Sequence, residues 1–188
     1  MTTIVVARKG NQVAIAADSL TTFGSTRLAP AYDRSPHKVI AYRDSFIGVA
    51  GSAAHQLVLE NLLGRNPDLD LHGKDAIYES FRRLHPMLKE EAFLNTKEEE
   101  DDPYESSQMT VMIANPKGIY AVYSMREVIE FERYWAIGSG RDFALGAMYV
   151  AYPGAKGPEE VAKIGVEAGA EYDTGSSLPM DLRLVTLT

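Results

Sequence analysis

The sequence predicts an α+β fold in which helices cover both outer faces of two stacked sheets. Three observations carry this. The chain opens with paired alternating stretches, as antiparallel hairpins require. Two later stretches show apolar stripes of helical period. The order of the pieces is strands, two helices, strands, two helices and a closing strand, which segregates helices from hairpins instead of alternating them.

The first pair spans residues 2–18. Thr3, Val5 and Ala7 alternate with Thr2, Ile4 and Val6, and beyond a Gly10-Asn11 turn Val13 and Ile15 alternate with Ala14 and Ala16. Residues 19–36 form a polar connection broken by Gly24, Pro30 and Pro36, long enough to be functional. Residues 39–43 and 46–50 read as a second hairpin joined by Asp44-Ser45. Gly51 and the capping Ser52 then lead into a helix over residues 53–63. Backbone N–H groups point outward at such a junction, which suits an oxyanion or a phosphate. No Gly-Lys-Ser/Thr follows, so it is a poor phosphate loop.

Ile77, Phe81, Leu84 and Leu88 mark the buried stripe of the second helix, which Pro86 should kink or split. Glu98 to Asp102 is a dense acidic run, expected as a solvated loop, with a metal site or a polar chamber lining as the alternative. Strands follow over residues 109–114, 119–123, 128–131 and 134–137, the first two joined by an Asn115-Pro116-Lys117-Gly118 turn. Gly138-Ser139-Gly140 opens a helix whose inner face is Phe143, Ala144, Ala147, Met148 and Ala151. Pro158 with Glu159 and Glu160 starts the last helix, the loop 173–177 ends it, and residues 182–187 close the chain as a strand.

Composition narrows the function. The 188 residues suit one domain over residues 1–188. Nineteen basic against 26 acidic residues give a net charge of -7 without a Lys/Arg stripe, against a nucleic-acid partner. With no cysteine there is no disulfide framework, thiolate nucleophile or Cys-based zinc site. His37, His55, His72 and His85 lack metal-ligand spacing, so no metal or cofactor is expected. No apolar run spans a bilayer and no signal peptide is visible, pointing to the cytoplasm and away from membranes. Thr2 is the candidate nucleophile. Removal of Met1, which a small second residue permits, would leave a hydroxyl and an α-amine of pKa roughly 8 on one residue. Thr is also an ordinary strand former, so Thr2 alone decides nothing.

Thr2-Thr3-Ile4-Val5, Ala16-Ala17-Asp18, Lys38-Val39, Gly48 to Ala54, Ile137-Gly138-Ser139-Gly140 and the 173–176 loop occur in the order seen in proteasome β subunits. The whole chain resembles that family, most of all the bacterial HslV peptidase and related bacterial proteasome homologues. The resemblance implies an N-terminal-nucleophile hydrolase with a four-layer αββα sandwich, a threonine endopeptidase cleaving unfolded chains. It implies a homo-oligomeric double ring of six or seven subunits per ring, fed by an AAA+ unfoldase.

By position, Thr2 matches the nucleophile, Lys38 the catalytic lysine that acts as a charge, and Asp18 the acid that holds it protonated. Gly51 matches the oxyanion donor, and Ser139, Asp173 and Ser176 match supports of the threonine. Thr22 matches a residue that holds substrate backbone, and Val49 and Ala53 match residues lining a modest apolar side-chain pocket. Two departures stand out: the connection from Asp18 to Lys38 is longer than usual in the family, and Ser177 stands where a glycine is common. The competing readings are an N-terminal-nucleophile amidohydrolase of small amides and a noncatalytic ring or scaffold subunit. Ser35-Pro36-His37-Lys38 also fits Ser-x-x-Lys of serine acyltransferases, but that motif belongs at a helix start and its companion motifs are absent.

Overall fold

A computed structural model of the protein describes residues 1–97 and 99–188; Glu98, the first member of the acidic run, lies outside them. The chain begins with β1 (Thr3–Lys9) and β2 (Gln12–Asp18), antiparallel across the Gly10-Asn11 turn. The connection that follows is not wholly irregular. It holds a small separate hairpin, β3 (Thr21–Phe23) and β4 (Thr26–Leu28), turning at Gly24, whose φ of +60° is the left-handed conformation such a turn needs. The Thr-rich flanks were the sequence signal, masked by the nearby prolines.

β5 (Val39–Tyr42) and β6 (Ser45–Ala50) form the next hairpin, and Ser52 caps α1 (Ala53–Arg65). α2 (Lys74–Glu90) buries Ile77, Phe81, Leu84 and Leu88, as its stripe requires. Pro86 does not split it. Pro86 is exposed while Leu84 and Leu88 anchor the helix on either side, so the carbonyl that loses its donor can be solvated without unwinding the turn.

β7 (Thr110–Asn115), β8 (Gly118–Val122), β9 (Val128–Phe131) and β10 (Tyr134–Gly138) follow, then α3 (Arg141–Ala151), α4 (Pro158–Tyr172) and β11 (Met180–Thr186). One sheet has the order β10-β1-β2-β11 and the other β5-β6-β7-β8-β9. The two stack through Ile4, Val6, Val13, Ile15, Met112 and Ala121. Alternate residues of β1 and β2, Val5, Ala7, Ala14 and Ala16, turn the other way to α3 and α4, while Ile47, Val49, Val111 and Ile113 face α1 and α2. The result is a four-layer αββα sandwich. α4 comes close to β1 because Gly165 leaves no side chain between itself and Met148 and Val5. Phe143 departs from the expected face of α3: it stands 45% exposed against the ring of Tyr172, leaving Ala144 and Met148 as the buried residues.

Candidate active site

Three elements bring Thr2, Asp18 and Lys38 together. Thr2 immediately precedes β1, Asp18 ends β2 beside it, and Lys38 reaches over from the start of β5 in the other sheet. The Thr2 hydroxyl donates to Asp18 Oδ1 at 2.6 Å and accepts from Lys38 Nζ at 2.9 Å, and Lys38 Nζ also lies 2.9 Å from Asp18 Oδ1. Asp18 is fully buried. A carboxylate survives there because backbone N–H groups meet it: Thr3 N on Oδ1, and Leu20 N and Ser177 N on Oδ2. Burial pushes the Lys38 ammonium below the ordinary lysine value, while Asp18 and, more weakly, Asp173 pull it back up.

On the other side of Thr2, its backbone nitrogen donates to Ser139 Oγ at 3.1 Å, and the Ser139 hydroxyl donates to Asp173 Oδ2 at 2.7 Å. Ser176 donates to the same Asp173 oxygen at 2.7 Å. Its own proton being committed, Ser176 Oγ accepts from the buried Thr3 hydroxyl, also at 2.7 Å. Ser139 opens α3 and Asp173 caps the end of α4, so the packed helix pair sets this relay. Ser177 needs no glycine's freedom: it contributes its N–H to Asp18 and its carbonyl to Ser19 N, and the residue is half-buried.

Close-packed glycines complete the arrangement. Gly138, at φ +92°, and Gly140 and Gly169 press their α-carbons against Thr2 and Thr3, where any Cβ would strike the Thr2 carbonyl or the Thr3 side chain. The Gly138-Ser139-Gly140 pattern was visible in the sequence as a helix opening; the contact of Gly169, in the last turn of α4, was not. Gly51 sits past the end of β6, at the end of its sheet that also carries Lys38, since Val39 pairs with Gly48. Its missing side chain leaves room for His55 Nδ1, 2.7 Å from where a Cβ would be. Thr22 is half-buried in β3, Val49 packs in the core beneath α1 and α2, and Ala53 is exposed at the start of α1.

Two clefts lie elsewhere. One of about 340 Å³ is lined by Leu57, Val58, Leu62 and Ala92, and one of about 480 Å³ by Arg133, Tyr134, Tyr149 and Tyr152 among others. Among the described residues no group of three metal-ligating side chains converges, and no helix is long and apolar enough to cross a membrane.

The arrangement offers a buried hydroxyl with a cation on its oxygen, a carboxylate on its proton, and a neighbouring nitrogen held by a serine–aspartate relay. No family model matches the chain. Among solved structures it is similar to BPH of Thiobacillus denitrificans, at 37% identity and a TM-score of 0.93, covering 99% of this chain and 98% of that one. The same protein in complex with epoxomicin matches at 37% identity and 0.92, over 99% of both chains. A eukaryotic HslV from Trypanosoma brucei shares the fold at a TM-score of 0.70, with 22% identity over 98% of this chain and 99% of that one.

Proposed function

Because the chain belongs to the proteasome β-subunit family of N-terminal-nucleophile hydrolases, we propose that it is a threonine-type peptidase subunit of a self-compartmentalising double ring, with Thr2 as nucleophile. The observation that carries this reading is the placement of Lys38 Nζ 2.9 Å from both Thr2 Oγ1 and Asp18 Oδ1. With Met1 attached, the Thr2 nitrogen is an amide and has no basic lone pair, so the hydroxyl turns its proton to Asp18. Loss of Met1 makes that nitrogen an amine of pKa roughly 8, a second acceptor on the same residue.

The steps follow from these groups. Thr2 Oγ1 attacks a peptide carbonyl while its proton passes to the amine, directly or through a water. The Lys38 charge favours the neutral amine and steadies alkoxide character. The Gly51 N–H meets the oxyanion. Collapse breaks the C–N bond, the α-ammonium protonates the leaving nitrogen, and water then hydrolyses the threonyl ester by the same route. Ser139 and Asp173 orient the amine, and Ser176 fixes Thr3 beside it. Thr22, Val49 and Ala53 are proposed to hold the substrate. Unfolded polypeptide is the substrate class and an AAA+ unfoldase the partner, in a cytoplasmic homo-oligomer with six or seven subunits per ring.

The test is a fluorogenic peptide assay on assembled protein whose intact mass shows Met1 removed. Thr2→Ala is expected to lower kcat by about 10³-fold or more, as loss of a nucleophile does. Epoxomicin, with which the BPH relative is found, should block the wild type. Full activity in Thr2→Ala, or in protein that wholly retains Met1, overturns the assignment.

A further inference from the structure

Lys38 lies just before β5, an edge strand of its sheet, at the end of a long connection. Something must hold that chain so the ammonium stays on Thr2. β11 is likewise an edge strand, of the other sheet, and Asp181 on β11 pairs with Ala17, next to Asp18. The Asp181 side chain is only 3% exposed. Its Oδ1 takes Arg183 Nη1 at 2.5 Å, but its Oδ2 has no hydrogen-bond partner among the described residues. A buried carboxylate oxygen without a donor is costly, and the group facing it is the ring of His37, with Nδ1 at 3.4 Å. The His37 carbonyl in turn accepts from Gln56 Nε2 of α1 at 2.9 Å.

We propose that His37 and Asp181 form a clasp between the two sheet edges that positions Lys38, and that protonation of His37 tightens it. The inference rests on the peptidase reading above, since Lys38 is the group being positioned. A charged imidazole gives the orphaned oxygen an ion pair; a neutral one gives at most a long hydrogen bond. Arg183 on β11 and Lys38 beside His37 oppose the added charge, and Asp181 and the Asp18 carboxylate on β2 favour it. The Arg183 guanidinium meets only the first oxygen, so the second remains for His37. A charged imidazole closes the clasp and a neutral one loosens it, so the clasp tightens as pH falls. His37 is a positioning residue acting through Lys38, and it needs no contact with substrate.

The experiment compares assembled wild type, His37→Gln, Asp181→Asn and the double variant. The ratio of wild-type to His37→Gln kcat cancels the titration of the Thr2 amine. It should be about five at pH 5.5 and approach one by pH 8, with KM unchanged, as suits an ion pair with one partner near solvent. In the Asp181→Asn background, His37→Gln should add nothing. A ratio that is flat with pH, or additive effects of the two substitutions, overturns the clasp. His37 is exposed, so its variant is available even if Asp181→Asn folds poorly. In ¹³C-histidine-labelled protein at pH 5.5, the His37 ring should be more ordered in the wild type than in Asp181→Asn, and equal order also overturns it. That arm needs no activity, so failure of the peptidase reading, seen as hydrolysis that survives Thr2→Ala, is separable from failure of the clasp.

Discussion

Asp18 is held by the backbone as much as by its lysine, and this separates two substitutions that the motif alone would treat alike. Asp18→Ala strands three N–H groups, those of Thr3 and Leu20 buried, together with the Lys38 charge, so we expect a loss of about 3–5 kcal/mol. Lys38→Met leaves the carboxylate with its N–H donors and should cost less than about 3 kcal/mol while still removing activity. Chemical denaturation with a peptidase assay on the same samples checks both. The sign with pH is also fixed. The folded Lys38 value lies below the ordinary 10.5, so between the two the unfolded chain binds more protons and stability rises with pH. Lys38→Met should lose that rise, read as a flatter denaturation midpoint as pH climbs toward 10.5. Thr2, Asp18 and Lys38 were legible because each sits in a local pattern. Thr3, Gly169 and Asp181 were not, since their roles depend on where α4 and β11 land against β1 and β2, a matter of tertiary register that no neighbouring residue encodes.

Among elements, α2 and the long connection to β7 are tied by ion pairs at Glu105. His85 Nε2 and Lys89 Nζ meet its carboxylate at 3.0 and 2.5 Å, and these bonds push its pKa down to about 2. A depressed carboxylate stabilises the fold above its ordinary value of 4.5, and the contribution is lost as pH falls through about 2. Glu105→Gln should lower Tm at pH 7 by no more than about 2 °C, since the pair is exposed, and the difference should close by pH 2. A difference that persists in acid would assign the effect to packing. Strands and helices were legible here wherever burial imposed a period, as in β1, β2 and α2. Of the kink or split that Pro86 predicts, the split does not occur: propensity counts the lost hydrogen bond, whereas the anchoring of Leu84 and Leu88 keeps the helix whole. The β3–β4 hairpin was hard to read because its two three-residue strands bury no side chain, leaving only threonines as a signal beside Gly24 and Pro30.

For the whole molecule, exposed apolar side chains lie on both helical layers: Leu57 at 70% beside the cleft on α1, and Tyr149 and Val150 at 73% and 79% on α3. A closed ring would cover such surfaces. Leu57→Asp and Tyr149→Asp should each shift sedimentation toward smaller species without unfolding the subunit; unchanged sedimentation of both would remove these faces from the assembly interface. Met1, in turn, is 59% exposed and rests against Gly175, while the bonds around Asp18 and Ser139 are already made beneath it. The consequence is one of timing. If the first residue is removed as proposed, only the Thr2 hydroxyl proton has to turn from Asp18 to the new amine, so catalytic competence should arrive with no lag after that single scission. And if the mature centre faces an enclosed chamber, the processing enzyme must act on the nascent or free subunit, before the doors of the assembly close behind it.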